Sequence, residues 1–483
     1  MKEQGKEDYR LLAIVSTGEK SVKNVLCKIF LPLQHLDRLQ IQLFPTVPQS
    51  DAFEKSIDIQ LRAVLRNMAG DYTGRIQAKD LYFTKFSRQW GGKAAENVII
   101  AEPTSLTIFE ALPPRKDPES RRVTGRFWLT PSALLSRPII PEYHHTGEVK
   151  IRRGKRTKFK IHETLSITLN YWHRYTQLDD EGVGTYRELV AEYSSNELKG
   201  ATQNHWIQTA IECLDDFLLV SSFVARRRTV CTGWDFRDSK GWTWHYRRGI
   251  TIPTTKKRPH LNEILIQPEH FKGFINQAYR TMRQLSERER ISIRQALHYV
   301  IPREKRTLEM SYITFCSAIE TLVSSYNETD DGGNIIPAHD WKGLRSDLKD
   351  FLKSHKLLGS NPTARKLLYE KLPELNRVAF GNSVLSLCKH YSVSLEHLWP
   401  VTDNDGGISL LGIRNKLIHG GTLTHTQGYA LMAARDHLQW TIERLLLGFF
   451  NWPISYSTVS KEYLEKNLAM YKGWDTDRQT LSS

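Results

Sequence analysis

Residues 1–200 carry short apolar or alternating runs, separated by stretches rich in proline, glycine and charge. Alternation with a period of two is typical of strands that bury one face, and it is clearest in residues 164–172. Turns are predicted at 71–74 and 91–92. The pattern predicts a β-rich N-terminal domain over 1–200, folded as a sandwich or a curved sheet. The other predicted strands are 11–16, 25–30, 39–44, 57–65, 98–110 and 123–129.

The hydrophobic period changes near residue 204, where apolar residues recur at helical spacing over 204–224. Two strand-like runs follow at 229–236 and 241–248. We assign 201–255 to a helix and strand pair that complete the N-terminal region. A proline- and lysine-rich stretch at 251–260 is typical of a linker and marks the main boundary.

Beyond this boundary the spacing of apolar residues is three and four, as in buried helices. The clearest case is 308–326, where Tyr312, Phe315, Ile319 and Leu322 share one side. The sequence therefore predicts a helical domain over 256–455, with a peripheral helix and tail over 456–483, and an α+β fold class overall. The other predicted helices are 269–285, 287–300, 341–355, 364–377 and 426–450.

Charge is unevenly distributed along the chain. The net charge is +15, of which residues 1–300 carry about +14 and residues 301–483 about +1. A basic region of this kind suits a polyanion such as RNA, although a dispersed basic surface also serves only solubility.

Several protein classes are disfavoured by the sequence. It has no long apolar run for a membrane span and no signal peptide at its start, and its five cysteines are scattered without metal-ligand spacing. No phosphate-binding glycine loop or other cofactor motif occurs. We therefore expect a cytoplasmic protein with no metal and no cofactor.

Three basic segments, 151–160, 242–248 and the predicted helix 287–300, supply candidate residues for RNA binding. Residues 151–160 hold six positive charges in ten residues, and 242–248 mix aromatic residues with arginines. The alternatives are a solvated loop for the first and ordinary core packing of Trp242, Trp244 and Tyr246 for the second. The candidate RNA-binding residues are Arg152, Arg153, Lys155, Arg156, Arg247, Arg248, Arg290 and Arg294.

The candidate chemistry lies in residues 405–421. Ser409 and Asp405 are both possible N-caps, and Gly420 stands where a helix would stop. The short helix between them carries Arg414, Asn415 and His419. An imidazole near the negative end of a helix dipole can exchange protons, and an arginine keeps its charge, so the pair suits chemistry on a phosphodiester.

The spacing of the motif residues leaves their role open. Arg414 and His419 are five residues apart, which places them about 140° apart around a helix. They meet only through the long arginine side chain or across an interface with a second copy; otherwise His419 is a helix cap and Arg414 a surface charge. Glu320 on the helix 308–326 either pairs with Arg414 and orients it or is a solvated acid.

The arrangement Arg414-Asn415-x-x-x-His419 at a helix end resembles the Arg-x(4–6)-His motif of the HEPN superfamily, in which a polar residue often follows the arginine. The helix 308–326, with its Ala-Ile-Glu-Thr-Leu run, resembles the first core helix of the ApeA-like group, where a β-rich region also precedes the HEPN domain. The resemblance covers about the last 200 residues.

The resemblance implies a metal-independent endoribonuclease of anti-phage defence, with Arg414, Asn415, His419 and Glu320 in the active site. It also implies a homodimer with a composite active site and a 2′,3′-cyclic phosphate product. RNA, with tRNA among the candidates, and a phage-derived trigger are the expected partners. A non-catalytic HEPN-type module that senses RNA or a nucleotide is the alternative.

Overall fold

A computed structural model describes residues 9–17, 20–31, 39–46, 59–66, 71–91, 94–111, 122–130, 132, 134–135, 139–143, 149–153, 157–160, 166–178, 182–196, 203–237, 241–247, 264–267, 269–301, 307–329, 333–402, 407–421, 424–468, 471 and 473–482. The chain forms two compact units. Unit 1 is Met1–Ser221 with Arg228–Arg258, and unit 2 is Ser222–Arg227 with Pro259–Ser483. Strands dominate unit 1 and helices dominate unit 2, so the predicted α+β class is confirmed. The predicted linker at 251–260 lies outside the described residues.

Unit 1 is built on a twelve-stranded antiparallel sheet with a separate two-stranded one. The strands are β1 Tyr9–Thr17, β2 Lys20–Phe30, β3 Gln40–Phe44, β4 Ile59–Arg66, β5 Tyr72–Gly91, β6 Ala94–Ala111, β7 Arg122–Leu129, β8 Ile139–Tyr143, β9 Val149–Arg153, β10 Thr157–Lys160, β11 Ser166–Leu178, β12 Gly182–Asn196, β13 Cys231–Arg237 and β14 Gly241–Arg247.

Six of these strands close into a ring. Their order is β6-β3-β2-β1-β4-β5, and β5 pairs with β6 to complete it. The alternating apolar residues of the predicted strands point inward, so that Val15, Cys27, Ile41 and Leu61 are fully buried. Strands β1 to β6 therefore form a closed antiparallel ring, in which each strand has a partner on both sides, and the sheet continues beyond it.

The sheet continues from β6 through β14, β13, β7, β12 and β11 to β10, and within the described part of the chain β8 pairs with β9 in a separate sheet. The basic run 151–160 is thus divided between two strands, β9 and β10, which belong to different sheets. The physical reason is Phe159 of β10, which is buried against Phe217 at 4.9 Å between ring centroids. The packing of one buried aromatic side chain determines where β10 lies, whereas the charges of the segment do not specify a pairing strand.

Two long strands, β5 and β12, were not predicted as strands. In β5 the buried positions Ile76 and Ala78 are flanked by polar residues, so the alternation is too short to be recognised. The predicted turn at 71–74 is instead where β5 begins. Strand β5 is instead held in place by its pairing with β6, which runs from Gly74 to Gly91.

Unit 2 is an array of helices around one long central helix, α10. The helices are α1 Gln203–Val224, which begins in unit 1, then α2 Phe271–Gln284, α3 Glu287–Val300, α4 Leu308–Thr329, α5 Ala338–Ser354, α6 Lys356–Gly359, α7 Pro362–Leu375, α8 Phe380–His390, α9 Leu410–Ile418, α10 His425–Phe449, α11 Lys461–Asn467 and α12 Trp474–Ser482. No helix among the described residues is long and apolar enough to cross a membrane.

The core of unit 2 lies where α10 packs against α4 and α12, and α3 packs along α4. The predicted stripe of α4 is buried at Tyr312, Phe315, Ile319 and Leu322. Helix α8 was missed by sequence analysis. The predicted C-terminal tail also differs: its end is a helix, α12, whose Leu481 is buried.

Candidate functional site

Helix α9 begins at a fixed point. Its N-cap is Ser409, whose hydroxyl accepts a hydrogen bond from the Gly412 N–H at 2.9 Å. Leu410 and Ile413 are buried, and the Leu410 N–H donates to the Pro400 carbonyl at 2.9 Å. The predicted N-cap at Ser409 is confirmed, and Asp405 lies outside the described residues. The start of the helix is therefore fixed by its cap and its packing.

The end of α9 is a Schellman motif. His419 is the C-cap, and Gly420 follows with a φ of 79°. The Gly421 N–H donates to the Lys416 carbonyl at 2.8 Å, and the Gly420 N–H donates to the Leu417 carbonyl at 3.4 Å. The predicted helix stop at Gly420 is confirmed. His419 consequently sits at an exposed helix end, outside the core.

A stripe of α4 residues with four-residue spacing faces α9. The Tyr312 hydroxyl donates to the Leu410 carbonyl at 2.7 Å. Two turns further on, Glu320 forms an ion pair with Arg414. The Arg414 guanidinium also donates from Nη1 to Oδ1 of Asn415 at 3.1 Å. Of the two alternatives for Glu320, the pairing with Arg414 is present.

Cys316 lies on the same stripe between Tyr312 and Glu320. Burial raises the pKa of the Cys316 thiol to about 12, and the nearby Arg414 offsets this only in part. A thiol with so high a pKa is protonated at neutral pH and is a poor nucleophile. Cys316 is therefore a packing residue of this site.

The chain by itself does not bring all the motif residues together. Arg414 bonds to Glu320 and Asn415, and no hydrogen bond joins it to His419 in the described structure. The His419 main-chain N–H donates to the Asn415 carbonyl at 3.0 Å, which holds the helix end and leaves the imidazole exposed. Glu320, Arg414 and Asn415 thus form one cluster, with His419 one turn beyond it.

Helix α12 contacts α9 and the residue pair that precedes it. The sequence pattern did not predict this contact. Lys416 donates from Nζ to the Leu481 carbonyl at 3.2 Å, and the Ile408 N–H donates to Oγ of Ser482 at 2.9 Å. The only sequence signal is Leu481, a single apolar residue near the end of a polar segment. These bonds fix the orientation of α9, and hence the direction in which Arg414 points.

The candidate RNA-binding residues are dispersed along the chain. Arg247 belongs to unit 1 and lies 3.4 Å from Asp215. Arg290 and Arg294 are half-buried on α3 in unit 2. Arg152 and Arg153 are on β9 but their side chains are outside the described part, as are Lys155, Arg156 and Arg248 entirely.

The aromatic face of β14 serves mainly the interior of unit 1. Tyr246 is buried, and Trp242 stacks on Trp244 with ring centroids 4.6 Å apart. Arg126 and Arg237 each lie 5.8 Å from the Trp242 ring. Because both the stacking and the cations come from the chain itself, core packing accounts for this face.

A small pocket in unit 2 is lined by Leu322, Tyr326, Leu387 and Phe449, among others, and contains none of the four motif residues. Within the described residues, no group of three or more His, Cys, Asp or Glu side chains is placed to hold a metal ion.

Comparison with protein-family models, with curated proteins and with solved structures finds no match to this chain.

Proposed function

We propose that this chain is a metal-independent endoribonuclease of the HEPN type that acts in anti-phage defence in the cytoplasm. The observation that carries the proposal is the cluster of Glu320, Arg414 and Asn415, with an exposed His419 at the end of the same helix. Phosphodiester cleavage by proton transfer needs a fixed cation and a solvent-accessible imidazole at one phosphate, and Arg414 and His419 can supply these two groups.

In the proposed reaction the ribose 2′-hydroxyl of RNA attacks the adjacent phosphorus. His419 takes the 2′-hydroxyl proton or gives a proton to the departing 5′-oxygen. Arg414 stabilises the negative charge that builds on the phosphoryl oxygens, and Asn415 orients the phosphate. The P–O5′ bond breaks as the P–O2′ bond forms, which leaves a 2′,3′-cyclic phosphate and a 5′-hydroxyl.

The proposal includes a homodimer with a composite site. Arg414 and His419 are about 140° apart on one helix, so an Arg414 from a second copy is better placed to share a phosphate with His419. RNA, with tRNA among the candidates, is the proposed substrate. The basic N-terminal region would direct or restrain the nuclease in response to a phage-derived trigger.

The test is RNA cleavage in EDTA by the wild type and by His419→Ala. The wild type should cut and the variant should lose at least about a hundredfold of the rate, because general acid–base catalysis contributes that much. His425→Ala is the matched control, since His425 is an exposed histidine six residues further on. Equal cutting by wild type and His419→Ala would contradict the proposal.

A non-catalytic RNA or nucleotide sensor is the second candidate. The observation that favours it is the ion pair itself, because Glu320 already neutralises Arg414 in the absence of RNA. A sensor should bind RNA with an affinity that falls steeply with salt and should leave the RNA intact. Intact RNA after incubation with a chain that retards it on a gel would select this function.

A further inference from the structure

Residues 333–378 form a helical hairpin on a narrow neck. At the neck, Ile335 and Ile336 donate their N–H groups to Asn376, to its carbonyl and its Oδ1 respectively, each at 2.8 Å. The Asn376 amide returns a bond to the Ile336 carbonyl at 2.9 Å. The start of α5 therefore lies beside the end of α7, and the two helices are antiparallel.

The hairpin buries little of its own surface. Helices α5 and α6 have no buried residue, and α7 has only Leu372. Polar contacts join its helices: the Tyr369 hydroxyl donates to the Lys349 carbonyl at 3.0 Å, and Arg365 donates to the Gly359 carbonyl at 3.3 Å. A two-helix unit of this kind has apolar surface that remains to be covered.

That surface is defined by four residues, which we name the hairpin face: Leu344, Phe351, Leu368 and Leu375. They are exposed by 42%, 61%, 40% and 60% respectively. In each helix the exposed pair lies roughly 60–90° around the axis from the less exposed residues, which are Trp341, Leu348 and Leu352 in α5 and Tyr369 and Leu372 in α7. The displacement has the same rotational sense in both helices. Because the helices are antiparallel, equal rotational senses bring both pairs to the same side of the hairpin.

We propose that the hairpin face is a self-association surface, on which a second copy of this chain packs its own hairpin to form a four-helix bundle. The area is sufficient. Helix α5 has 17 residues, so one side of the hairpin measures about 25 by 20 Å. Two such faces bury about 1,000 Å², the lower limit for a specific interface.

Charge selects a second copy over other occupants. Residues 338–375 contain eight Lys and Arg and five Asp and Glu, so the surface is mixed and not the single-sign surface that suits a polyanion. Beyond the hairpin face, in the same rotational direction around each helix axis, lie Asp340 and Asp347 on α5 and Lys371 on α7. Nζ of Lys371 lies 3.1 Å from Oε1 of Glu374. A two-fold axis parallel to the helices places α5 of one chain against α7 of the second chain.

In that arrangement Lys371 of one copy lies at a level between Asp340 and Asp347 of the other, because the end of α7 is beside the start of α5. Two symmetric sets of opposite charges then border an apolar centre, as in typical protein interfaces. This inference does not depend on the nuclease proposal, since none of the motif residues belongs to the hairpin.

The experiment is sedimentation equilibrium of the full chain over a range of concentrations. The wild type should self-associate, and Phe351→Glu should raise the dissociation constant of the hairpin contact at least about 30-fold, because a central apolar anchor contributes that much. A contact through the composite site, which contains no residue of the hairpin, should persist in this variant. Ile291→Glu is the matched control: Ile291 is an apolar residue of α3, 56% exposed and outside the hairpin face. It should leave the dimer intact.

Charge reversal tests the arrangement. Asp347→Lys and Lys371→Glu should each weaken the dimer, and the double variant should recover most of the lost affinity. Circular dichroism checks that each variant is folded, which exposed positions should allow. A monomeric wild type, a dimer that Phe351→Glu leaves unchanged, or equal dissociation by Ile291→Glu would overturn the proposal.

Discussion

Glu320 and Arg414 are 94 positions apart in the chain and form an ion pair that joins α4 to α9. The pair is partly exposed, with 38% of the Glu320 side chain and 29% of the Arg414 side chain open to solvent. An ion pair at such a position contributes about 1 kcal/mol or less to stability. Its main effect is therefore the direction in which it holds the Arg414 guanidinium.

Removing this acid should impair cleavage more than folding. We expect Glu320→Ala to lower kcat for RNA cleavage about 10-fold or more, and Glu320→Gln, which keeps an acceptor for Arg414, to recover part of it. The free energy of unfolding should change by about 1 kcal/mol or less. Glu328→Ala removes an exposed acid of the same helix, paired with Arg288, and should leave kcat unchanged. Equal loss in both alanine variants would argue against an orienting role.

The glycine that ends α9 should be sensitive to substitution. Gly420 has a φ of 79° and no atom within 4 Å of an added Cβ, so Gly420→Ala meets only backbone strain. We expect it to reduce the free energy of unfolding in urea by about 1–2 kcal/mol. Gly343→Ala, in an open position of α5, should instead be stabilising by about 0.5–1 kcal/mol. Opposite signs for these two variants are the outcome to check.

Acid should destabilise unit 2 through two histidines, the buried His437 and the half-buried His397. Burial lowers the pKa of His437 to about 3 and that of His397 to about 4, from 6.5, with Arg444 lowering both further. The His437 ring accepts the Trp399 N–H at its Nδ1, and His397 contacts the Arg444 guanidinium at 2.7 Å through Nε2. Both rings are therefore neutral in the folded chain.

The direction of this pH dependence follows from proton uptake on unfolding. Below pH 6.5 both histidines are protonated in the unfolded chain but stay neutral in the folded chain. The free energy of unfolding should therefore fall as the pH drops from about 6.5 to 4. His437→Asn keeps an acceptor for Trp399 and should flatten this dependence, as urea titrations at several pH values would show. His425→Asn, at an exposed site, should not flatten it. A wild-type stability that is level over this range would contradict the assignment.

Removal of the cation from the buried ion pair between Arg226 and Glu443 should strongly destabilise unit 2. Nε of Arg226 donates to the Glu443 carboxylate at 2.7 Å, and Glu443 is 1% exposed. Arg226→Ala leaves this carboxylate buried without its cation, so we expect a loss of about 3–5 kcal/mol. Arg288→Ala breaks an exposed pair and should cost less than about 1 kcal/mol. Similar midpoints in urea for the two variants would contradict this.

Sequence analysis located α9 well because its signals are local. Ser409 and Gly420 act on their own neighbouring backbone, and a cap hydrogen bond or a positive φ needs no distant partner. The α4 stripe was found for the same reason, since its period is written in consecutive residues. Strand β5 and helix α8 were missed because their burial depends on partners elsewhere in the chain.

The sequence by itself determined the α+β class, the inward-facing alternation of the early strands, and a capped helix that ends at His419. Only the tertiary structure decided that the sheet closes into a ring, that Glu320 holds Arg414, and that α12 braces α9. The physical reason is distance along the chain. Caps and periodicity act within a few residues, whereas strand closure and ion pairs depend on which remote surfaces bury each other.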